Sequence, residues 1–200
     1  MRHAWLSLLV LGACIPEFFT SGVGPTDVGG AWIAEDNRWA QPDEGPPEGL
    51  VGEGFAVGQV IPDFRLPDQH GDTVSLWQFH GRVLVFDVSP MWCAPCQELA
   101  AHTEETMEDF GGDDFMYVTA IIQNVENQPP DSDDINEWAE GFGIESSPVL
   151  VDIESISSAA VDQTKYPGLV VIGRDLVVIE RPNPPTDAVL REVIERELAR

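Results

Sequence analysis

Two thiols three positions apart at the end of an apolar run constrain this chain more than any other feature in it. The residues are Met91-Trp92-Cys93-Ala94-Pro95-Cys96, and the run before them is Val83-Leu84-Val85-Phe86-Asp87-Val88. The run reads as a central strand buried on both faces, and the stretch from Pro95 to about Phe110 reads as a helix. Both cysteines therefore fall at a strand-to-helix junction. The first N–H groups of a helix have no intrahelical partner and the helix dipole is positive there, so a thiolate at Cys93 is stabilised and its pKa is expected below that of a free thiol. Cys96, one helical turn on, is placed to close a reversible disulfide. Pro95 fixes the first turn at a position whose N–H is not needed.

Two other uses of such a pair stand beside this one. Half of a zinc site has the same spacing, but needs two further ligands, and the only other cysteine is Cys14 with no paired histidine to complete the set. A buried, inert pair is the second alternative, although Trp-Cys-x-Pro-Cys at a strand end is an unusual way to fill a core. Redox chemistry is the leading reading.

Trp92-Cys93-Ala94-Pro95-Cys96 resembles the active site of the thioredoxin superfamily. The segments Gly58-Gln59-Val60-Ile61-Pro62-Asp63-Phe64-Arg65-Leu66, Val74-Ser75-Leu76 and Phe79-His80-Gly81-Arg82 resemble the entry to its TlpA/ResA-like branch, which is related to the AhpC/TSA redoxins. The resemblance spans roughly residues 56 to 200 and does not reach 15 to 55. It implies an α/β, thioredoxin-like fold with a central mixed sheet flanked by helices and preceded by an N-terminal extension. It also implies an extracytoplasmic thiol-disulfide oxidoreductase of the protein-disulfide reductase type that requires no cofactor and no metal. Its partners would be protein thiols and disulfides and an upstream redox donor, and it would act as a monomer.

The resemblance assigns roles to individual residues. Asp87, six positions before Cys93, matches the buried acid that accepts a proton from the resolving thiol; an acid on an apolar strand is costly to bury and should have a raised pKa. Cys93 and Cys96 are the catalytic pair. Pro167, before the apolar run Leu169-Val170-Val171-Ile172, matches a cis proline that faces the cysteines, and Trp92, Pro95, Tyr166 and Pro167 are expected to bound the substrate site. Tyr166 departs from the Thr or Val common before this proline. Leu99 stands where the branch often has a Glu, and Glu98 lies on a different helical face. Pro90 stands where peroxiredoxins have a peroxide-binding Thr or Ser, which weakens the alternative of a thiol peroxidase. A copper-binding chaperone is another alternative, but the last histidine, His102, is only six residues past Cys96, and His70 and His80 sit in loop-like contexts. A non-catalytic lipoprotein that keeps the fold is a third.

Met1-Arg2-His3, the apolar Ala4 to Leu11, and Leu11-Gly12-Ala13-Cys14 resemble a lipoprotein signal with its lipobox. The expectation is a signal peptide over residues 1–13 and lipidation of Cys14, anchoring the protein to a membrane of the bacterial cell envelope and facing the periplasm. A plain secretory signal cleaved near Ser21 is the rival. The apolar run is far shorter than the ~20 residues that span a bilayer. Residues 14–55 are rich in Pro, Gly and acids and read as a flexible tether, with a reach of roughly 35 Å for about 40 residues. Trp32 and Trp39 interrupt it and are expected to pack on the domain.

From residue 56 onward the order of elements is strand, active-site helix, a strand over 115–122, a helix over 132–142, a strand over 148–152, a short helix over 155–163, a hairpin of 169–172 with 176–179, and a last helix over 186–198. That helix sets Val189, Leu190, Val193, Ile194 and Leu198 on one face. With 35 acidic against 10 basic residues, a net charge of −25 and Lys165 as the single lysine, nucleic acid is effectively excluded as a partner and docking on anionic lipid through surface charge is disfavoured.

Overall fold

A computed structural model describes residues 32–112 and 114–200. The expected signal peptide, Cys14 and the first part of the tether lie outside the described residues. β1 (Arg65–Pro67) and β2 (Thr73–Ser75) form an antiparallel hairpin, followed by a 3₁₀ turn over Leu76–Phe79. The main sheet holds β3 (Val83–Pro90), β4 (Phe115–Gln123), β5 (Val149–Val151), β6 (Gly168–Ile172) and β7 (Val178–Glu180) in the order β5-β4-β3-β6-β7. β3 runs parallel to β4 and antiparallel to β6. It lies at the centre because all eight of its residues are buried, as its unbroken apolar run requires of a strand covered on both faces.

The helices are α1 (Ala94–Ala100), α2 (Thr103–Phe110), α3 (Ser132–Phe142) and α4 (Asp187–Leu198). The crossovers from β3 to β4 and from β4 to β5 step the same way across the sheet, and right-handed connection then puts α1, α2 and α3 on one face. α4 joins them there: Arg191 bonds Asp109 of α2 at 2.6 Å and lies 5.4 Å from the Phe110 ring centre. Phe64 covers the opposite face, stacked on Phe86 at 5.6 Å. Leu190, Val193 and Ile194 of α4 are buried as expected, with Val189 and Leu198 half-buried at the margins. The α3 start is set by Asp131, whose carboxylate accepts the Asp133 and Asp134 N–H groups while Asp134 returns a bond to Asp131 N–H. Its end is set by Gly143 at φ 66°.

Three expectations are corrected. The single helix from Pro95 to Phe110 is broken at Ala101–His102, where the His102 N–H bonds the carbonyl of Leu99 three residues back and the i→i−4 ladder lapses. The short helix over 155–163 is a 3₁₀ turn of Ile156–Ala160 only. It is held by the buried Asp152 carboxylate, which accepts the Ile156 and Ser157 N–H groups and the Ser157 hydroxyl, and five residues cannot sustain an α-helix without such support.

The third correction concerns the tether. Residues 32–55, read as part of it, lie along the domain. Trp39 is buried, and its Nε1–H donates to Asp68 Oδ2 at 2.5 Å. Asn37 donates to the Thr73 carbonyl at 2.7 Å and exchanges bonds with the Gln78 amide. Trp32 packs on the core and donates to Ser75 Oγ at 3.2 Å, and Glu35 pairs with Arg65. Two indoles and an amide thus find apolar surface and hydrogen-bond partners together, which outweighs the entropy of ordering the strap. Farther on, Val60 bridges to Val177, so the strap runs into the β7 side of the sheet.

Candidate active site

The cysteines stand where β3 hands over to α1. The Met91 N–H bonds the Gln123 carbonyl at the end of β4, and the Cys93 N–H turns back to the Pro90 carbonyl. Cys93 is the N-cap of α1: its backbone is extended, its carbonyl accepts the Gln97 N–H, and its Sγ accepts the Cys96 N–H at 3.3 Å. Pro95 occupies the first turn, where it removes no required donor. Cys93 and Cys96 are joined in a disulfide with their Cα atoms 5.2 Å apart, within the usual range for such a bond. Cys93 keeps 5 % exposure and Cys96 none. Of the two cysteines only Cys93 keeps any exposure, and its sulfur is the one that accepts a helix N–H group.

Trp92 is exposed; its Nε1–H donates to Gln123 Oε1 at 3.0 Å, and its ring meets that of Tyr166 edge-on at 6.1 Å. The Tyr166–Pro167 peptide bond is cis. Because Gly168 pairs with Val88, Pro167 comes level with the end of β3 that leads into the cysteines, and Tyr166 packs against the cluster containing Cys93 and Cys96. A Cβ at Gly168 would lie 2.2 Å from Val161 Cγ1, so glycine lets the segment before β6 approach this closely. The structure thus brings Trp92, Cys93, Pro95, Cys96, Tyr166 and Pro167 to one end of the sheet.

Asp87 is 1 % exposed. Its carboxylate accepts the Ser89 hydroxyl at 2.7 Å and the Tyr117 hydroxyl at 3.0 Å. Burial pushes its pKa up from 3.8 to about 6, against the pull of these two donors. Neither Ser89 nor Tyr117 was singled out in the sequence. Ser89 was readable in principle, two residues from Asp87 on the same strand face; Tyr117 needed the β3–β4 register. His102 lies exposed at the α1–α2 break, 3.5 Å from Glu105.

The raised pKa has a stability consequence with a definite sign. Below pH 3.8 both folded and unfolded Asp87 are protonated; as pH rises through 6 the fold must hold a charge that the unfolded chain solvates freely, so stability falls. Asp87→Asn is expected to stabilise the oxidised protein by up to about 3 kcal/mol at pH 7.5 and by almost nothing at pH 3.5. Denaturant melts at the two pH values check this; an equal effect at both would show that Asp87 is not charged at neutral pH.

The AhpC/TSA family model matches residues 57–181, more than half of the chain. The chain belongs to the AhpC/TSA family. Solved structures of thioredoxin-like proteins share its fold. The thioredoxin domain of a thiol-disulfide oxidoreductase from Bacteroides vulgatus aligns with TM-score 0.58 at 16 % identity, over 70 % of this chain and 96 % of that one. A thiol:disulfide interchange protein from a Bacteroides species aligns with TM-score 0.58 at 16 % identity, over 71 % and 90 %. A hypothetical protein from Sinorhizobium meliloti aligns with TM-score 0.61 at 17 % identity, over 74 % and 87 %. No curated protein matches the chain. Within this AhpC/TSA domain the expected thioredoxin-like α/β fold is present, and the strap before residue 57 lies outside the matched segment.

Proposed function

We propose that this AhpC/TSA-family protein is an extracytoplasmic thiol-disulfide oxidoreductase that reduces protein disulfides and is tethered to the envelope through a lipid on Cys14. The observation that carries the redox reading is the Cys93–Cys96 disulfide at the head of α1, with Cys93 slightly exposed, Cys96 fully buried and a buried acid on the strand that leads into them. The Cys93 thiolate attacks a substrate disulfide and displaces one substrate thiolate, leaving a mixed disulfide. Cys96 then gives up its proton to Asp87 and attacks Cys93 Sγ, so that the Cys93–Cys96 bond forms and the second substrate thiolate leaves. An upstream dithiol restores the reduced pair.

A protein substrate is favoured by the surroundings. Trp92, Val125 and Ile153 are exposed apolar side chains on loops at the same end of the sheet as Cys93, and Tyr166 adds to them; such surface near a reactive sulfur suits a polypeptide. The signal and lipobox-like residues support the envelope location. Family membership makes peroxidase activity the second reading, yet the residue three before Cys93 is Pro90, which has no hydroxyl or N–H to offer a peroxide. With dithiothreitol as donor, the protein should speed the reduction of insulin disulfides and leave hydrogen peroxide consumption at the rate of dithiothreitol alone. The opposite pair of results would overturn the assignment.

A further inference from the structure

We propose that Ser89 and Tyr117 are positioning residues that hold the Asp87 carboxylate beneath α1 for proton transfer with Cys96. The inference rests on the assignment of Asp87 as proton acceptor made above.

Alternation along β3 puts Val85, Asp87 and Ser89 on one face. In the parallel register Val85 lies opposite Tyr117 and Ser89 opposite Ile121, so Tyr117 and Ile121 share that face on β4. Ile121 belongs to the buried cluster that contains Cys93 and Cys96. The order along this face is therefore Tyr117, then Asp87, then Ser89 beside Ile121, then the cysteines. Ser89 Oγ donates to Oδ1 and Tyr117 OH donates to Oδ2. A hydroxyl has one proton to donate, and here both are spent on opposite oxygens of one carboxylate, which fixes its plane and favours its charged form. Ser89 is fully buried and Tyr117 1 % exposed, so water does not compete for these bonds. Burial, reinforced by the Asp87 charge, pushes the Tyr117 phenol well above its ordinary pKa, so that it stays a donor across the working range.

The other ionisable groups on the elements packed here do not substitute for the two hydroxyls. α1 and its N-cap offer the cysteine pair and Glu98, which is exposed. On α2, Glu104 is turned to Ser146 and the backbone of residues 145 and 146. On α4, Asp187 acts on Tyr117 and Arg191 is engaged by Asp109 and Asp187. β6 places Leu169 opposite Asp87. Burial and the two hydroxyls are the influences on the Asp87 carboxylate. In the resolving step the Cys96 thiol proton moves to Asp87, the Cys96 sulfur bonds Cys93 Sγ, and the electron pair of the broken Cys93–substrate bond leaves on the substrate sulfur.

Removing either donor disfavours the carboxylate and raises its pKa. The test follows oxidation of the fully reduced protein by oxidised glutathione between pH 5 and 9, read from the change in tryptophan fluorescence, beside the infrared band of protonated Asp87 identified by its loss in Asp87→Asn. Tyr117→Phe and Ser89→Ala should each move the acid limb of the rate and the infrared titration up by about one pH unit, while Ser89→Thr, which keeps a hydroxyl, should restore the limb. A limb and an infrared titration that stay in place in both donor variants overturn the inference. If Tyr117→Phe does not fold, the Ser89→Ala and Ser89→Thr pair decides alone. An acid limb unchanged in Asp87→Asn overturns instead the assignment of Asp87 as the acceptor, a result distinct from the first.

Discussion

Cys96→Ser is expected to turn the protein from a catalyst into a trap. Cys93 retains its slight exposure and the α1 N–H groups that stabilise a thiolate, so attack on a substrate disulfide survives. What is lost is the buried thiol that releases the product. A mixed disulfide should accumulate on Cys93, seen as an adduct by intact mass, and turnover should fall to the rate of the donor alone. Cys93→Ser should abolish both adduct and turnover, since Cys96 has no exposure from which to reach a second protein. A Cys96→Ser protein that turned over normally, or formed no adduct on Cys93, would contradict the order of attack.

Trp39→Ala should destabilise the domain by about 3–5 kcal/mol, the range for removing a large aromatic from a packed core. The indole fills part of the main core and satisfies Asp68, whose other oxygen already holds the His70 and Asp72 N–H groups of the β1–β2 turn. Trp39→Phe keeps most of the packing but leaves one Asp68 oxygen without its donor, and should cost about 2 kcal/mol. Urea melts of the two variants separate packing from hydrogen bonding. A chain beginning at residue 56 should be less stable still, because it also loses Asn37, Trp32 and Glu35. Equal stability of that truncated chain would mean that the strap is passive.

What the sequence revealed and what it hid follow from the range of the interactions. β3, α3 and the buried face of α4 were legible because their signals are local: an unbroken apolar run, a serine and two acids at the helix start, a 3.6-residue period. The position of the cysteines at a strand-to-helix junction came from the same local signals, and the presence of an acid at Asp87 needed only the strand. The strap was only half legible. Its two tryptophans marked it as different from a plain tether, but the partner of Trp39 lies 29 residues away, and nothing in the Pro- and Gly-rich composition around it points to Asp68. The break between α1 and α2 has no proline to announce it. Tyr117 is 30 residues from Asp87, and pairing the two needs a strand register that periodicity along one segment does not contain.

The direction of electron flow is set by how strongly the Cys93 thiolate is stabilised, and pairs of this spacing range from about −270 mV to about −120 mV. The most direct test of the account is therefore a redox titration of the full chain in dithiothreitol and glutathione buffers, with free thiols alkylated and mapped by residue. The account predicts that Cys93 and Cys96 gain their thiols together, in one reversible two-electron transition centred below about −220 mV. A pair that cannot re-form its disulfide after reduction would contradict the redox reading itself, and a reversible transition near −120 mV would make the protein an oxidant rather than the reductant proposed.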